Sequence, residues 1–182
     1  MYVIAIAGGS ASGKSTFTER LLKELEGIKT EVIHMDSFFK KKEERPYVKS
    51  HINGEYYVDD NCPDTIHFDE YRKRFNELRE SGAQVLITEG LLTLWDEETR
   101  DKIDMKIFVD CRSDERLIRR VNRNMKWGLK FEEITDVFLN MVRFRHDQYV
   151  EPTKWTADFI INGSQKTDMI LEMVVEKVKR SI

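Results

Sequence analysis

A glycine-rich run near the beginning of the chain gives the strongest indication of its fold and function: Gly8-Gly9-Ser10-Ala11-Ser12-Gly13-Lys14-Ser15. The run fits the pattern G-x-x-x-x-G-K-[ST] without a gap. Glycines let the backbone curl so that successive N–H groups point at the oxygen atoms of a bound phosphate. The apolar segment before the run and the amphipathic segment after it predict a strand, a loop and a helix, and the helix would turn its positive N-terminal end toward the same phosphate. The run therefore predicts a site for a nucleoside triphosphate.

The residue types of this loop give separate roles to its side chains. Lys14 is expected to reach the β- and γ-phosphates, and the Ser15 hydroxyl is expected to ligate Mg²⁺. ATP and Mg²⁺ are thus the predicted cofactors. The alternative interpretation is a glycine turn that binds no ligand. The expected nucleotide-binding residues of the loop are Gly8, Gly9, Ser10, Ala11, Ser12, Gly13, Lys14, Ser15 and Thr16.

Five short apolar segments divide the chain into alternating elements. None of them alternates cleanly between apolar and polar residues, which is typical of strands covered on both faces. We predict strands over Tyr2–Ala7, Glu31–Met35, Gln84–Thr88, Met105–Val109 and Asp158–Asn162. We predict helices over Gly13–Glu26, His67–Ser81, Trp95–Ile103, Ser113–Lys126, Phe131–Val150 and Thr167–Arg180. This alternation predicts an α/β fold around a parallel sheet, and a length of 182 residues suits a single domain over residues 1–182.

Two acidic residues stand where predicted strands end. Asp36 follows the second strand, and Glu89 follows the third. Ligands of parallel α/β sheets bind beyond the carboxyl ends of the strands, so both carboxylates are expected to face the triphosphate. Asp36 would accept the proton of an attacking hydroxyl or help to hold Mg²⁺, and Glu89 would be the Mg²⁺-associated acid on a neighbouring strand. The alternatives are a helix N-cap for Asp36 and a plain strand-ending carboxylate for Glu89.

A basic helix is the third functional signal. Arg116, Arg119, Arg120 and Arg123 fall at positions i, i+3, i+4 and i+7, which places them on one helical face. Because adjacent guanidinium groups repel one another, an anionic ligand would relieve the repulsion, and arginine suits phosphate oxygens. We predict that residues 112–130 form an arginine lid that closes over the triphosphate, with Arg116 and Arg119 binding the nucleotide. The alternative is a solvated charged face.

The segment of residues 40–64, called the insert below, is long for a connection in a compact domain. It is polar and aromatic, and it contains Asn53-Gly54, a strong hairpin signal. Its tyrosines, Tyr57 among them, are costly to leave in solvent. We predict that the insert binds a phosphoryl acceptor, with a surface decoration as the alternative.

Charge and composition narrow the class of protein. The net charge is −3, without the basic excess of general nucleic-acid binders, so no nucleic-acid partner is expected. The chain has two cysteines and no CxxC pair, and no apolar run approaches the roughly 20 residues of a membrane span. We expect a soluble, cytoplasmic protein without a membrane partner. The N-K-x-D element of a guanine pocket is absent, and the sequence leaves open whether the protein is a homo-oligomer.

Six segments together resemble the uridine kinase family, which has nicotinamide riboside kinase and phosphoribulokinase as relatives. They run in the family's order and cover most of the chain: GGSASGKST (8–16), HMDSFFK (34–40), NCPDTIHFD (61–69), ITEGLL (87–92), MKIFVDCRSDERLIRRVNR (105–123) and EPTKWTADFIINGS (151–164). The resemblance implies a P-loop three-layer sandwich with a five-stranded parallel sheet of the nucleoside-monophosphate-kinase type and a helical lid. It also implies transfer of the ATP γ-phosphate to the 5′-hydroxyl of a nucleoside, as in uridine and cytidine kinases.

The resemblance further implies roles for single residues. Asp36 would be the catalytic base and a Mg²⁺ ligand, with Lys14, Arg120 and Arg123 as the other catalytic residues. Where the family reads Asp-His-Pro-Asp, this chain reads Asn-Cys-Pro-Asp from residue 61, and the first position of that motif would hold the ribose hydroxyls. The expected substrate-binding residues are Phe39, Tyr57, Asp60, Asn61, Trp95 and Arg120.

The chain also departs from the family's pattern. The family's Arg-Gly-Arg after the lid helix is Trp127-Gly128-Leu129 here, and residues 63–89 leave no room for the hairpin that helps to enclose a pyrimidine. The Asn53-Gly54 turn with its two following tyrosines is similar to nicotinamide riboside kinases. A kinase of nicotinamide riboside or another sugar-bearing metabolite is therefore the second hypothesis. A nucleotide-binding regulatory protein without a small-molecule acceptor is the third.

Overall fold

Five parallel strands form the central sheet of this computed structural model, which describes residues 1–182. In chain order the strands are β1 (Tyr2–Ala7), β2 (Thr30–His34), β3 (Tyr47–Lys49), β4 (Tyr56–Val58), β5 (Val85–Glu89), β6 (Met105–Asp110) and β7 (Phe159–Asn162). The sheet has the order β2-β5-β1-β6-β7, and β3 and β4 form a separate antiparallel hairpin within the insert. The predicted five-stranded parallel sheet is confirmed.

Seven α-helical segments connect and cover these strands. They are α1 (Lys14–Glu24), α2 (Phe68–Arg79), α3 (Glu97–Arg100), α4 (Ser113–Lys126), α5 (Phe131–Val137), α6 (Arg143–Arg145) and α7 (Asp168–Lys179). The segment predicted as one helix over Phe131–Val150 is helical throughout, but its hydrogen bonding changes to the π type over Phe138–Val142 and His146–Val150. None of the helices combines the length and the apolar character that crossing a bilayer requires.

The helix predicted over Trp95–Ile103 is shorter in the structure. Asp96 is the N-cap of α3, and its carboxylate accepts a hydrogen bond from the Thr99 backbone N–H at 3.2 Å. An N-cap residue has an extended rather than a helical backbone, so the helix cannot begin before Glu97. Trp95 therefore belongs to the loop that leads into α3.

Helices cover both faces of the sheet because the strands bear apolar side chains on both faces. On one face, Leu21 of α1 and Val174 of α7 belong to the same buried cluster as Ile4. On the other face, Phe75 of α2 belongs to the same buried cluster as Val3. Every residue of β1 is buried, as expected for the central strand of a three-layer sandwich.

The parallel direction of the strands gathers the functional segments at one edge. Ile6 near the end of β1 pairs with Glu89 of β5, and His34 at the end of β2 pairs with the same glutamate. The loop after β1, the turn after β2 that holds Asp36 and the end of β5 therefore lie side by side. This edge is where open α/β sheets bind their ligands.

Candidate active site

The P-loop, residues 8–15, joins β1 to α1 in a backbone conformation that requires glycine at both ends. Gly8 has a φ of +142°, and a Cβ there would lie 2.4 Å from the carbonyl oxygen of Val109. Gly13 has a φ of +107° and is the N-cap of α1. Residues with a side chain rarely adopt these angles. The two glycines thus place the N-terminus of α1 at the edge of the sheet.

Lys14 begins α1 and turns its ammonium group into the loop. Its Nζ donates a hydrogen bond to the Gly9 carbonyl oxygen at 3.3 Å. Burial lowers the pKa of this ammonium, and the carboxylates of Glu89 and Asp36 oppose that shift. Because burial disfavours the charged form, a phosphate bound at the loop would have a strong stabilising interaction with Lys14.

The predicted Mg²⁺ residues come from α1, the turn after β2 and the end of β5, and they lie at the same edge of the sheet. The Ser15 hydroxyl lies 3.3 Å from Glu89 Oε2 and 3.4 Å from Glu89 Oε1. Glu89 is buried, and its Oε1 also lies 2.9 Å from His34 Nδ1. Asp36, in a 3-10 turn after β2, is exposed and lines the same cleft. The site therefore combines one hydroxyl and two carboxylates beside the P-loop.

Three of the predicted lid arginines form hydrogen bonds with the P-loop or with the loop that follows β7. Arg119 donates from Nη1 to the carbonyl oxygen of Gly163 at 2.9 Å. Arg120 and Arg123 both donate to the Ser10 hydroxyl, at 3.1 and 3.2 Å. The face of α4 predicted from the i, i+3, i+4, i+7 spacing thus packs over the loop at these three positions.

The guanidinium groups of Arg120 and Arg123 are close enough to the carboxylates of Asp60 and Asp36 for these charges to affect their pKa values. Burial lowers the pKa of Arg120, its neighbour Arg123 lowers it further, and the Asp60 carboxylate opposes both effects. Burial also lowers the pKa of Arg123, with the Asp36 carboxylate opposing it. Since guanidinium groups stay protonated in proteins, the cleft holds fixed positive charge that an anion would stabilise.

The fourth arginine of the predicted set lies beneath the P-loop and not in the cleft. Arg116 is 4% exposed, and its Nε donates to the Cys111 carbonyl oxygen at 3.1 Å. A Cβ on Gly9 would lie 2.5 Å from Arg116 Nη1 and 2.9 Å from His146 Cε1. The loop packs directly onto these two side chains. The prediction that Arg116 lies with the other lid arginines at the cleft is therefore wrong, because the P-loop covers its side chain.

The insert and the turn before it form one wall of the cleft. Phe39, Arg45, Asp60 and Asn61 all line it. Arg45 donates from Nη1 to Asp60 Oδ1 at 2.7 Å and from Nε to the Lys40 carbonyl oxygen at 2.7 Å. Its guanidinium carbon lies 5.0 Å from the centroid of the Phe39 ring. The wall thus presents an aromatic ring and a carboxylate that are joined by one arginine.

Two residues predicted to bind substrate lie outside this cleft. Tyr57 on β4 donates its hydroxyl to Asp136 Oδ2 at 2.8 Å, because the hairpin packs against α5. Trp95 packs on Phe68, with ring centroids 5.4 Å apart, at the start of α2. Neither aromatic side chain is among those that line the cleft.

A single cleft of about 730 Å³ brings most of the predicted site together. The P-loop residues Gly8, Gly9 and Ser12 are buried on the covered side of the loop. The predicted residues that line the cleft are Ser10, Ala11, Gly13, Lys14, Ser15, Thr16, Asp36, Phe39, Asp60, Asn61, Glu89, Arg119, Arg120 and Arg123.

Sequence reasoning missed eleven further lining residues, among them Arg45, Trp127, Gly163, Gln165 and Thr167. The last three follow β7 and could have been found, since the strand-end rule that selected Asp36 applies to every strand of the sheet. Trp127 follows directly after α4, and the ring lies 4.9 Å from the guanidinium carbon of Arg123. Arg45 had no local signal, because its contacts depend on how the insert folds.

Comparison with protein families agrees with this arrangement of loop, lid and sheet edge. The model of the phosphoribulokinase/uridine kinase family matches residues 3–84 and 79–170. The chain belongs to this family. The matched ranges include the P-loop, Asp36, Glu89 and the lid.

Curated relatives and a solved structure extend the same likeness. The chain is 29% identical to the uridine kinase of Macrococcus caseolyticus, covering 99% of this chain and 97% of that protein. It is 30% identical to the uridine kinase of Anoxybacillus flavithermus, covering 97% and 93%. A solved structure of a possible uridine kinase from Bacillus stearothermophilus superposes with a TM-score of 0.57 at 22% identity, over 88% of each chain. The structural likeness supports the fold, and the sequence matches support the family.

Proposed function

We propose that this protein is an ATP-dependent nucleoside kinase, which transfers the γ-phosphoryl group of ATP to the 5′-hydroxyl of a pyrimidine nucleoside. The observation that carries the proposal is that Asp36 lines one cleft with the P-loop and the lid arginines. A P-loop alone would equally suit a nucleotide switch. A carboxylate facing the same cleft is what a kinase needs to receive the proton of an attacking hydroxyl.

The nucleotide would lie with its phosphates on the P-loop. Backbone N–H groups and the N-terminus of α1 would hold the phosphate oxygens, and Lys14 would exchange its hydrogen bond with Gly9 for the β- and γ-phosphates. Arg119 lies at Gly163, on the side of the cleft that the loop after β7 lines. These contacts fix the donor without taking part in proton transfer.

The acceptor hydroxyl would be oriented and deprotonated by Asp36. Phosphoryl transfer spreads negative charge over the transferred group, and Arg120 and Arg123 are in position to stabilise that charge. Both guanidinium groups now donate to the Ser10 hydroxyl, so a bound triphosphate would replace a single weak acceptor with several charged ones. Catalysis would come mainly from positioning and electrostatics.

The oxygen atoms beside the P-loop suit the Mg²⁺ that accompanies ATP. Ser15 and Glu89 lie within 3.4 Å of one another, and Asp36 lines the same cleft. No group of three or more acidic, histidine or cysteine side chains forms a metal cage, which fits a cation that is held by few side chains together with phosphates. When bound, Mg²⁺ would neutralise charge on the β- and γ-phosphates, with Ser15, Asp36 and Glu89 as its proposed ligands, directly or through water.

The choice of a pyrimidine nucleoside rests on the relatives. The curated proteins that match nearly the whole chain are named uridine kinases. Asn61 and Trp127 depart from the family's pattern, and both line the cleft. For this reason nicotinamide riboside and other sugar-bearing metabolites are the alternative acceptors to be tested.

An acceptor panel tests the proposal. ADP release would be measured with ATP and Mg²⁺ against uridine, cytidine, adenosine, guanosine, nicotinamide riboside and ribulose 5-phosphate. Each product would be identified by mass spectrometry and phosphorus NMR. We expect uridine and cytidine to give 5′-monophosphates with the highest kcat/KM. Turnover confined to nicotinamide riboside or the sugar phosphate would refute a pyrimidine nucleoside as the acceptor. ATP hydrolysis that no acceptor stimulates would refute the kinase activity.

A further inference from the structure

A buried arginine and a buried histidine support the P-loop at a position that the nucleotide-binding pattern leaves free. The pattern requires glycine at positions 8 and 13, whereas any residue suits position 9. Gly9 also lacks the positive φ of Gly8 and Gly13, so its backbone conformation does not require glycine. A Cβ on Gly9, however, would lie 2.5 Å from Arg116 Nη1 and 2.9 Å from His146 Cε1. The close approach of these two side chains therefore explains why position 9 is glycine.

Gly9 is also the residue on which the internal hydrogen bonds of the loop converge. Its carbonyl oxygen accepts from the Ser12 backbone N–H at 3.1 Å and from Lys14 Nζ at 3.3 Å. A shift of Gly9 would therefore move both the loop backbone and the ammonium group that is expected to bind the phosphates. The two side chains beneath Gly9 consequently help to set the geometry of the phosphate site.

The polar atoms of this buried pair are not fully hydrogen-bonded. Arg116 is 4% exposed and His146 is 6% exposed. Arg116 Nη1 and His146 Nδ1 are buried and have no hydrogen-bond partner. Most buried polar atoms of native proteins are paired, so an unpaired donor on a buried cation requires an explanation. Arg116 Nη1 is the atom nearest to the Cβ position of Gly9, which means that the unpaired donor is directed at the P-loop.

The charge of Arg116 acts on the phosphate side of the loop. Burial lowers the pKa of Lys14, and the guanidinium groups of Arg123 and Arg116 lower it further, against the opposing effect of two carboxylates. Arg123 lines the cleft, whereas Arg116 does not. Salt screens a buried charge less than an exposed one. A phosphate bound beside Lys14 would therefore be attracted by Arg116 through the loop, without contact between them.

His146 is held in place by a chain of ionic contacts that ends on the central sheet. Its Nε2 lies 3.3 Å from Glu151 Oε2, and Glu151 forms an ion pair with Lys154. Lys154 Nζ lies 3.5 Å from Oδ2 of Asp110, the last residue of β6. The imidazole ring is thus fixed relative to the sheet, and it limits the space into which Gly9 can move.

We infer that Arg116, packed beside His146, is a positioning residue for the donor nucleotide, which fixes the P-loop at Gly9 and adds a buried positive charge behind the phosphates. Arg116 acts through the loop, whereas Arg120 and Arg123 would act on the transferred group in the cleft. The role rests on the proposed function, since it requires ATP at the P-loop, and it concerns the donor and not the acceptor.

Two variants separate the charge of Arg116 from its shape. Arg116→Met removes the charge, and apolar replacement of a buried ion often leaves a protein folded. Arg116→Lys keeps the charge and loses the planar guanidinium. By calorimetry with ATP and Mg²⁺ we expect roughly tenfold or more weaker binding in Arg116→Met and a smaller loss in Arg116→Lys. The KM for uridine should change by less than about twofold in both variants, because neither alters the acceptor side of the cleft.

A change in the loop tests the same contact without removing a buried charge. Gly9→Ala should also weaken ATP binding, because its Cβ would meet Arg116 Nη1 and the His146 ring. Methionine is too short to reach the place of Nη1. Adding Gly9→Ala to Arg116→Met should therefore cause a smaller loss of ATP affinity than Gly9→Ala causes in the wild type.

A matched arginine variant separates this effect from a general loss of stability. Arg72 forms an ion pair with Asp96 away from the cleft, with Nη2 and Oδ1 2.5 Å apart. Arg72→Ala should lower the melting temperature and leave the affinity for ATP unchanged.

Three outcomes would overturn the role of Arg116. They are an ATP affinity close to that of the wild type in folded Arg116→Met, an unchanged ATP affinity in Gly9→Ala, and an equal rise in the KM for uridine and for ATP. If Arg116→Met does not fold, Gly9→Ala in the wild type and in Arg116→Lys decides the question. A wild-type protein that binds ATP and phosphorylates no nucleoside would refute the proposed function, while the calorimetric test of Arg116 would still apply.

Discussion

A buried histidine beneath the P-loop makes the stability of this protein sensitive to mild acid. His146 is 6% exposed, and its ring contacts the loop near Gly9. The pKa of His146 is lowered from 6.5 to about 4, chiefly by burial and also by the Arg116 guanidinium, and the Glu151 carboxylate opposes the shift without cancelling it. The folded protein therefore favours the neutral ring, whereas the unfolded chain binds the proton near pH 6.5.

The sign and size of the effect follow from these two pKa values. Because the folded pKa is the lower one, the full contribution to stability is present above pH 6.5 and is lost as the pH falls toward 4. Between pH 7 and pH 5 the loss amounts to about 2 kcal/mol, since one pKa unit corresponds to about 1.4 kcal/mol. For a chain of this size, about 2 kcal/mol corresponds to roughly 4–8 °C in melting temperature.

Thermal denaturation at pH 7 and pH 5 checks this expectation. We expect the wild-type melting temperature to fall between the two pH values by roughly 4–8 °C more than that of His146→Gln, which has no titrating ring. Glu151 contributes little in this window. Burial raises the pKa of its carboxyl, but the hydrogen bond and the charge of Lys154 outweigh burial and keep that pKa below its usual value of 4.5. The control is His51→Gln, which replaces an exposed histidine in the hairpin and should keep the wild-type pH dependence. Equal pH dependence in the wild type and His146→Gln would show that the buried ring is not the source of the acid sensitivity.

Three further variants test separate parts of the site. Gly163→Ala would place a Cβ 2.2 Å from the Ser12 carbonyl oxygen. Denaturation should therefore show a free energy of unfolding that is lower by about 1–3 kcal/mol, and calorimetry should show weaker binding of ATP. Unchanged stability would contradict the close packing. Lys14→Met should lower kcat by about 10²–10³-fold while circular dichroism shows an intact fold. Near-normal turnover would contradict the proposed role of Lys14 at the phosphates. Tyr57→Phe should lose the hydrogen bond to Asp136 and lower the melting temperature slightly while the acceptor KM stays constant. A raised acceptor KM would show that Tyr57 contacts the acceptor.

The strands and the P-loop were predictable because their signals are local. A buried parallel strand appears as a short apolar run, and the loop appears as glycines at fixed spacing before a lysine and a hydroxyl. Asp36 and Glu89 followed from the rule that ligands bind at the carboxyl ends of parallel strands. Each of these inferences needs only a few consecutive residues and the direction of one strand.

The placement of side chains between elements was not predictable in the same way. Helical spacing puts Arg116 on the face of the other lid arginines, but spacing does not say that the P-loop covers the first turn of α4. The contact of Arg45 with Asp60 spans 15 residues and depends on how the insert closes. Trp95 was expected in the nucleoside pocket, but it lies in the loop before α3 and packs on Phe68, which is distant in the sequence.

Single-turnover phosphoryl transfer to uridine by Asp36→Asn tests whether Asp36 is the catalytic base of the proposed kinase. Asp101→Asn is a suitable control, because Asp101 is an exposed carboxylate away from the cleft. We expect Asp36→Asn to bind ATP within a few-fold of the wild type by calorimetry and to transfer phosphate at least 10²-fold more slowly, a loss typical of a missing general base. Asp101→Asn should behave as the wild type. Transfer by Asp36→Asn at close to the wild-type rate would contradict the proposed role of Asp36, and with it the observation that carries the proposed function.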